Sequence, residues 1–266
     1  MKARQRLSVS KIKNTFSDHS SASSPPQIHL FDCLDSTNTW LKNNGQCGDV
    51  CIAEQQTAGK GRRGNQWLSP NAENIYCSLQ WCFKTSPKHL SLLSLVVGLS
   101  IAEALDKVGL TEHGVKWPND IFCQGKKMGG ILIESVASST QGIQVIIGIG
   151  LNVNMPDTEG ESIDQPWISL NKAMAGRVDR NQLLAILLVE LIENLKGFES
   201  LKSEEFQESW QQWDVLRNQQ VRILQDQQEL QGLVEGIDAQ GRIGIKLPSG
   251  QLGYYSSAEI RLKKQA

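Results

Sequence analysis

The sequence predicts a mixed α/β protein that ends in a small β-barrel. Segments 90–108 and 180–198 repeat their apolar residues at the period of a helix. Shorter runs, such as 75–83, are apolar or alternate apolar with polar residues, which is typical of strands. From about Arg217 onwards, five or so short strand-like runs are separated by turn residues, and this spacing indicates a small barrel.

The remaining elements follow from the same patterns. A short helix is predicted to begin at Asp35-Ser36-Thr37-Asn38, because serine and asparagine are preferred at helix N-caps. Segment 115–122 has the apolar content of a strand but contains Pro118, which predicts an irregular conformation there. A further helix is predicted at 204–213. Strands are also predicted at 28–31, 50–54, 127–135, 144–152, 221–224, 231–237, 243–246 and 253–255.

Composition divides the chain into three parts. Residues 1–27 contain five cations, one acid and a serine-rich run, which predicts a flexible basic tail. The segment lacks the apolar centre of a secretory signal, but an organelle-targeting peptide stays open as an alternative, since such peptides are basic, rich in serine and poor in acids. Residues 28–216 are expected to form the main globular domain, and residues 217–266 the barrel.

Overall composition argues against several classes of function. The formal net charge is −1, so the chain lacks the overall basic field that marks many nucleic-acid-binding proteins. No apolar run reaches the ~18 residues of a membrane helix. The six cysteines form no C-x-x-C pair and the four histidines are scattered, which argues against a metal site made by protein ligands alone. Reduced, packed thiols in a cytoplasmic protein are the expectation.

A glycine-rich loop with three cations is the first segment that suggests chemistry. Gly59-Lys60-Gly61-Arg62-Arg63-Gly64 fits the G-x-G-x-x-G pattern of dinucleotide-binding turns, but Pro70 and Asn71 continue as a loop where that motif requires a helix. Glycines let a backbone approach a ligand, and lysine and arginine bind carboxylate or phosphate groups. The loop therefore predicts an anion site, with a solvated basic turn as the alternative.

Three later segments place polar groups at the ends of strands. Lys116-Trp117-Pro118-Asn119-Asp120 offers oxygens suited to a magnesium–phosphate or amide group. In Lys127-Met128-Gly129-Gly130-Ile131-Leu132-Ile133-Glu134 a lysine precedes two glycines and an apolar strand, where it can meet an anion. Gly148-Ile149-Gly150-Leu151-Asn152-Val153-Asn154 combines asparagine amides with glycines that let a ligand lie on the backbone. Each segment taken alone also fits an ordinary turn or core strand.

Five segments in one order together resemble the bacterial biotin–protein ligases: Asp-Ser-Thr-Asn at 35–38 and the segments at 59–64, 116–120, 127–134 and 148–154. The resemblance extends from about Ile28 to the C-terminus. It implies a catalytic domain with a mixed sheet, similar to class II aminoacyl-tRNA synthetases and lipoate ligases, at 28–216, and an SH3-like barrel at 217–266. The α/β pattern described above is compatible with that fold but does not establish it.

The resemblance also implies roles for particular residues. Arg62 and Lys127 are expected to be catalytic. The biotin site is expected to include Ser36, Thr37, Asn38, Gln56, Lys60, Gly61, Arg62, Lys127 and Gly130. The ATP or adenylate site is expected to include Arg62, Arg63, Trp67, Asn119, Lys127 and Asn152. Mg²⁺ is expected to arrive with ATP rather than to occupy a site made of protein ligands.

The implied activity is an ATP-dependent ligation. The biotin carboxylate is adenylated to biotinyl-5′-AMP, and biotin then passes to a lysine of an acceptor, expected to be the biotin carboxyl carrier domain of acetyl-CoA carboxylase. A homodimer formed through the catalytic sheet is an expectation too, with no specific DNA binding and no membrane. Lys60 stands where the family usually has arginine, which loses the forked donor. About 27 residues precede the catalytic part, too few for the winged helix-turn-helix of many members.

Three alternatives stay open on the sequence alone. A lipoate or octanoate ligase would use similar chemistry on a related fold, although the segments at 59–64 and 116–120 favour biotin. A biotin-responsive transcriptional regulator is disfavoured by the short N-terminal segment. A non-catalytic scaffold with a degenerate site is disfavoured by the presence of both Arg62 and Lys127.

Overall fold

Six α-helices and twelve strands make up the part of the chain that the computed structural model describes, which is residues 5–20, 24–71, 74–84, 87, 89–139, 142–225, 228–257 and 259–262. The helices are α1 (Val9–His19), α2 (Thr37–Asn44), α3 (Leu93–Lys107), α4 (Leu170–Ala173), α5 (Arg180–Gly197) and α6 (Ser203–Trp213). The strands are β1 (Ile28–Phe31), β2 (Val50–Ala53), β3 (Ile75–Phe83), β4 (His113–Lys116), β5 (Asp120–Cys123), β6 (Lys126–Ser139), β7 (Gly142–Leu151), β8 (Gln220–Gln225), β9 (Gln228–Ile237), β10 (Ile243–Lys246), β11 (Leu252–Tyr255) and β12 (Glu259–Leu262). Within these ranges no helix is long and apolar enough to cross a membrane.

Seven of the strands form one mixed sheet in the order β1-β2-β3-β7-β6-β5-β4. β1 and β2 run parallel, and every other neighbouring pair runs antiparallel. In the long central pair, Gly130 of β6 lies opposite Gly150 of β7, and Leu132 lies opposite Gly148. The mixed α/β architecture predicted from the sequence is therefore confirmed.

The two faces of this sheet are covered differently. Ile147 of β7 belongs to the main core, which α3 and α5 complete on one face. Side chains alternate between faces along a strand, so Ile146, Gly148 and Gly150 lie on the opposite face. There Leu41 of α2 packs with Ile146 in a small second cluster. Gly148 and Gly150, further along the same face, line a cleft.

The N-terminal segment differs from the flexible tail predicted for residues 1–27. Residues 9–19 form α1, which is capped by the hydroxyl of Ser8 and packs on α5 with Ile12 and Phe16 buried. The flexible-tail prediction is wrong for these residues, because spacings of three and four between apolar residues give the segment a helical apolar face. Residues 1–4 and 21–23 lie outside the described part of the chain.

A buried ion pair holds the chain that leads into α1. Arg180, at the start of α5, is 1% exposed and donates to Glu54, directly after β2, over 2.8 Å. The backbone N–H of Leu7 donates to the same carboxylate at 2.7 Å, and Arg180 also donates to the carbonyl oxygens of Gln5 and Asn74. Buried charges are tolerated when such further hydrogen bonds satisfy them. The segment before α1 therefore belongs to the folded domain.

The last five strands form a separate antiparallel sheet in the order β11-β10-β9-β8-β12. This confirms the small all-β unit predicted at the C-terminal end, while its boundary near residue 217 stays a prediction. The indole N–H of Trp117 donates to the carbonyl oxygen of Gly241 at 2.9 Å and so joins the two sheets. The irregular conformation predicted at Pro118 is a cis peptide bond between Trp117 and Pro118.

The cysteines differ in part from the prediction that all six are reduced. Cys47 and Cys82 form a disulfide, because the loop that leads into β2 lies beside the end of β3, its neighbour in the sheet. Cys33, Cys51, Cys77 and Cys123 are free. Burial, with a smaller contribution from the charge of Asp35, raises the pKa of Cys51 to about 12, so this thiol stays neutral in the core.

We expect Phe16→Ala to lower the free energy of unfolding by about 3–5 kcal/mol, because it leaves a cavity where a fully buried ring packs on α5. Ser17→Ala, at the exposed neighbouring position of the same helix, is the matched control. Urea unfolding of both variants measures the difference. Equal stability of the two variants would restore the interpretation of this segment as a flexible tail.

Candidate active site

The floor of the cleft is made by glycines whose missing side chains are replaced by groups from other elements. A Cβ atom added to Gly148 would lie 2.4 Å from Asn38 Oδ1, and one added to Gly150 would lie 2.6 Å from the indole of Trp67. Real Cβ atoms do not approach other atoms so closely, so neither position accepts a side chain without displacement. Gly130, opposite Gly150 in β6, completes this floor.

One end of the cleft carries neutral hydrogen-bonding groups around the start of α2. Ser36 is the N-cap of α2 and accepts from the backbone N–H of Thr39. The backbone N–H and hydroxyl of Thr37 both donate to Gln56 Oε1, at 2.8 and 3.1 Å. Gln56 Nε2 in turn donates to the hydroxyl of Ser69 at 3.0 Å. These hydrogen bonds hold the side chains of Thr37 and Gln56 in fixed positions beside the start of α2.

Asn38 is held on two sides at the same end. The hydroxyl of Ser78 in β3 donates to Asn38 Oδ1 at 2.6 Å, and Asn38 Nδ2 donates to Glu134 Oε2 in β6 at 2.7 Å. The Asn38 side chain is buried and nonetheless lines the cleft. Its position is therefore set by contacts with β3 and β6, the two strands on either side of β7.

The other end of the cleft carries positive charge. Lys127 Nζ lies 2.9 Å from Asp120 Oδ1 and 5.5 Å from the ring centre of Trp67. Arg62 donates to Asn119 Oδ1 at 2.7 Å, and Asn119 Nδ2 donates to the carbonyl oxygen of Ile131. The two cations therefore approach the cleft from different elements, Lys127 from β6 and Arg62 from the loop after β2.

The glycine-rich loop has a defined backbone in this structure. Gly61 N–H donates to the carbonyl oxygen of Asn65 at 2.7 Å, and Trp67 N–H donates to that of Gly59 at 2.9 Å. Residues 62–64 form a short 3₁₀ turn in which Arg63 has a φ of 55°, in the left-handed region. The turn directs Arg62 and Arg63 to different partners, and Arg63 donates to the hydroxyl of Ser257 in the C-terminal part of the chain.

Electrostatics make this end receptive to an anion. Partial burial, followed by the charge of neighbouring Arg63, lowers the pKa of Arg62, and Asp120 partly opposes this effect. The guanidinium nevertheless remains protonated under all ordinary conditions. A carboxylate or phosphate placed between Arg62 and Lys127 would compensate both charges, and the oriented donors of the two side chains suit such groups.

The structure brings most of the predicted site residues into this one cleft. They are Ser36, Thr37, Asn38, Gln56, Lys60, Gly61, Arg62, Trp67, Asn119, Lys127 and Gly130. Two predicted residues lie elsewhere. Arg63 lines a neighbouring cavity of about 480 Å³ beside the C-terminal sheet, and Asn152 is buried beyond β7, where its backbone bonds to Met128 and Leu170.

Two residues that hold the site were not predicted. Ser78 and Glu134 contact Asn38, which lines the cleft. Both lie in strands whose sequences are mostly apolar, so the sequence indicated core strands rather than site residues. Strand alternation was the available signal, since Glu134 shares a face with Gly130 and Leu132. Which strands lie beside α2 could not be known without the topology.

The protein thus has an α/β fold with a cleft floored by glycines, neutral and polar at one end and cationic at the other. Such a cleft suits an enzyme whose small-molecule substrate has a neutral polar end and an anionic end. Residues 30–152 match the Biotin/lipoate A/B protein ligase family, and residues 218–263 match the Biotin protein ligase C terminal domain. The bifunctional ligase/repressor BirA of Escherichia coli is 37% identical over 239 residues, which are 89% of this chain and 74% of that protein. The biotin–[acetyl-CoA-carboxylase] ligase of Mycobacterium tuberculosis is 32% identical over 201 residues, 74% of this chain and 72% of that protein.

A solved structure agrees with these relatives. The biotin protein ligase of Aquifex aeolicus in complex with biotin and ATP has a TM-score of 0.76 and 30% identity, covering 90% of this chain and 99% of that one. The chain belongs to the biotin protein ligases of the biotin/lipoate A/B protein ligase family.

We expect Gly150→Ala to push Trp67 off the sheet and to lower the free energy of unfolding by about 1–3 kcal/mol, as overpacking does elsewhere. Gly197→Ala is the control, because a Cβ there meets nothing within 4 Å. Urea unfolding and near-ultraviolet circular dichroism report the two effects. Unchanged stability together with an unchanged aromatic spectrum would contradict the close approach of Trp67 to Gly150.

Proposed function

We propose that this chain is an ATP-dependent biotin–protein ligase that forms biotinyl-5′-AMP and transfers biotin to a lysine of an acceptor protein. The observation that carries the proposal is the polarity of the cleft, which has neutral hydrogen-bonding groups around Asn38 at one end and the cations Arg62 and Lys127 at the other. Biotin has the matching polarity, with a neutral ureido head group and a carboxylate at the end of its chain. The Aquifex aeolicus relative binds both biotin and ATP.

Substrate placement follows from this polarity. The ureido head group is expected at Ser36, Thr37, Asn38 and Gln56. The acyl chain would then run over Gly148 towards Gly150, and the carboxylate would lie near Lys127. Gly148 and Gly150 line this part of the cleft together with the Asn38 and Trp67 side chains that pack on them.

Adenylation joins two anions, and the residues of the cationic end address that difficulty. A biotin carboxylate oxygen attacks the α-phosphorus of ATP, the bond to the leaving pyrophosphate breaks, and negative charge accumulates on the phosphoryl oxygens. Lys127 has three donors, of which Asp120 uses one, so it can bond carboxylate and phosphate together. Arg62 reaches the same cleft from the loop after β2. Catalysis of this type depends on positioning and on preorganised charge.

Transfer follows from the reactivity of the mixed anhydride. An unprotonated acceptor lysine amine attacks the acyl carbon, the bond to the phosphate oxygen breaks, AMP leaves, and the amine nitrogen releases one proton to solvent. This step needs no nucleophile from the enzyme. Arg62 and Lys60, on the loop that borders the cleft, are suited to retain the adenylate and to limit its hydrolysis until the acceptor arrives.

We assign Mg²⁺ to the ATP phosphates rather than to a protein cage. Among the described residues no cluster of three or more His, Cys, Asp or Glu side chains is present that could hold a metal. Asp120 Oδ1 is paired with Lys127 and Asn119 Oδ1 with Arg62, so free oxygen ligands are few. This donor set fits a magnesium ion that keeps several waters and arrives with phosphates, where it would neutralise part of their charge.

The wider assignments rest on the family. The biotin carboxyl carrier domain of acetyl-CoA carboxylase is the proposed acceptor, in keeping with the name of the Mycobacterium tuberculosis relative. A cytoplasmic location, a homodimer and a boundary near residue 217 between the catalytic domain and the C-terminal domain are proposed on the same basis, with the α1 segment added to the catalytic domain predicted at 28–216. Arg63 and Asn152 are retained as nucleotide-site residues, although ATP would have to extend beyond the cleft to reach them.

ATP–pyrophosphate exchange with biotin, lipoate, octanoate or no acid tests the proposal. We expect exchange that requires biotin, because only biotin among these acids has a head group that can bond the polar end of the cleft. Exchange with lipoate or octanoate but not with biotin would keep the chemistry and overturn the substrate. Absence of exchange from folded protein supplied with magnesium would contradict ligase activity altogether.

We expect Lys127→Ala to slow single-turnover adenylation by about 10²-fold or more, because it removes a positioned donor to the developing charge. Lys126→Ala is the matched control, since that neighbouring lysine is exposed and does not line the cleft. Rapid-quench measurement of adenylate formation at saturating biotin and ATP separates the rate from the affinity. Equal rates for the two variants would remove Lys127 from the catalytic machinery.

A further inference from the structure

We propose that Glu134 is a positioning residue that sets biotin affinity by holding Asn38 in one amide orientation. The proposal rests on the function proposed above and assigns a role to a carboxylate that does not itself line the cleft. Glu134 reaches the ligand site through one hydrogen bond, from Asn38 Nδ2 over 2.7 Å.

The orientation of the Asn38 amide follows from the chemistry of its neighbours. An ionised carboxylate only accepts hydrogen bonds, so the atom that faces Glu134 must be the nitrogen of the amide. The oxygen then faces the hydroxyl of Ser78, which lies 2.6 Å from it and 2.7 Å from Thr37 Oγ1. A flipped amide would place its oxygen 2.7 Å from a carboxylate oxygen, and this repulsion makes the flip costly.

The fixed orientation determines what Asn38 offers to a ligand. One Nδ2 hydrogen is used by Glu134, and the second remains available. Asn38 therefore presents a donor to the cleft, and a donor suits the ureido carbonyl oxygen of biotin. Without Glu134, the amide could rotate and present its oxygen, which the ureido oxygen would repel.

Two further observations support a positioning role for Glu134. Within the ranges that the structure describes, no cation lies in salt-bridge distance of Glu134. Gly148, which a Cβ would bring to 2.4 Å from Asn38 Oδ1, leaves room for Asn38 on the floor of the cleft. Three strands, β3, β6 and β7, thus converge on one side chain.

The test compares Glu134→Leu, Glu134→Gln and Glu103→Leu in biotin-dependent ATP–pyrophosphate exchange. Glu103 is the matched control, because its carboxylate accepts from Asn194 Nδ2 at 3.0 Å on the other face of the sheet. We expect Glu134→Leu to raise the KM for biotin about tenfold or more, the effect of losing a hydrogen bond to a charged group. The KM for ATP and kcat at saturating biotin should change less than about twofold.

Glu134→Gln should stay within about threefold of the wild type, because its side-chain oxygen still accepts from Asn38. Glu103→Leu should leave the KM for biotin unchanged. A loss in Glu134→Gln as large as that in Glu134→Leu would overturn the orientation argument, as would an equal fall in kcat and rise in both KM values. An unchanged KM for biotin in Glu134→Leu would overturn the proposal directly.

A second variant covers the case in which Glu134→Leu does not fold. Ser78→Ala removes the hydroxyl that contacts Asn38 Oδ1 at 2.6 Å and Thr37 Oγ1 at 2.7 Å, and it should also raise the KM for biotin, by about threefold to tenfold. Wild-type enzyme without biotin-dependent exchange would refute the proposed function and this inference with it. Wild-type exchange that requires biotin, combined with an unaltered KM in Ser78→Ala, would refute the inference alone.

Discussion

Close packing of side chains on two glycines of β7 is the constraint on which the cleft depends. Asn38 stands on Gly148 and Trp67 stands on Gly150, and a Cβ at either glycine would lie within 2.6 Å of them. The two side chains come from α2 and from the loop after β2, so these contacts set the distance of both elements from the sheet. The polar and the cationic end of the cleft are placed by this contact before any ligand is present.

The other face of the sheet supports that arrangement through a buried charge. Arg180 pairs with Glu54, and Glu54 lies two residues before Gln56, which receives both donors of Thr37. The N-terminal segment contributes a further hydrogen bond, from the backbone N–H of Leu7 to Glu54. Removing one partner of a buried pair leaves an uncompensated charge, which is far more costly than loss of an exposed pair. Gln56, at the polar end of the cleft, and Glu54, in the buried ion pair, therefore both lie directly after β2.

The sequence allowed much of the fold and site to be predicted where the signal was local. β3 was predicted with its observed bounds, and the bounds predicted for α5 from its helical period were correct to one residue. The α1 helix was missed because the basic, serine-rich composition outweighed a short apolar spacing around Ile12 and Phe16. Its partners lie more than 100 residues away, as in the hydrogen bond from Ser8 N–H to Asn181, and no local pattern encodes such a contact.

Site residues show the same division. Asn38 and Lys127 could be predicted from segments whose order is specific to a family, but what holds them could not. Asp120 and Glu134 act on them from β5 and β6, and those contacts depend on strand order. Arg63 shows that adjacency in sequence does not fix direction: it turns away from Arg62 through a left-handed φ and bonds Ser257, while its role at the nucleotide stays a prediction.

The glycine-rich loop consequently links three parts of the molecule. Arg62 bonds Asn119, in the turn between β4 and β5, while Arg63 bonds the C-terminal part at Ser257. Trp117, in that same turn, bonds Gly241 of the C-terminal part. An anion in the cleft would compete with Asn119 for the donors of Arg62. Because Arg62 is partly desolvated and lies beside a second cation, an anionic ligand offers it a stronger partner than the neutral amide of Asn119.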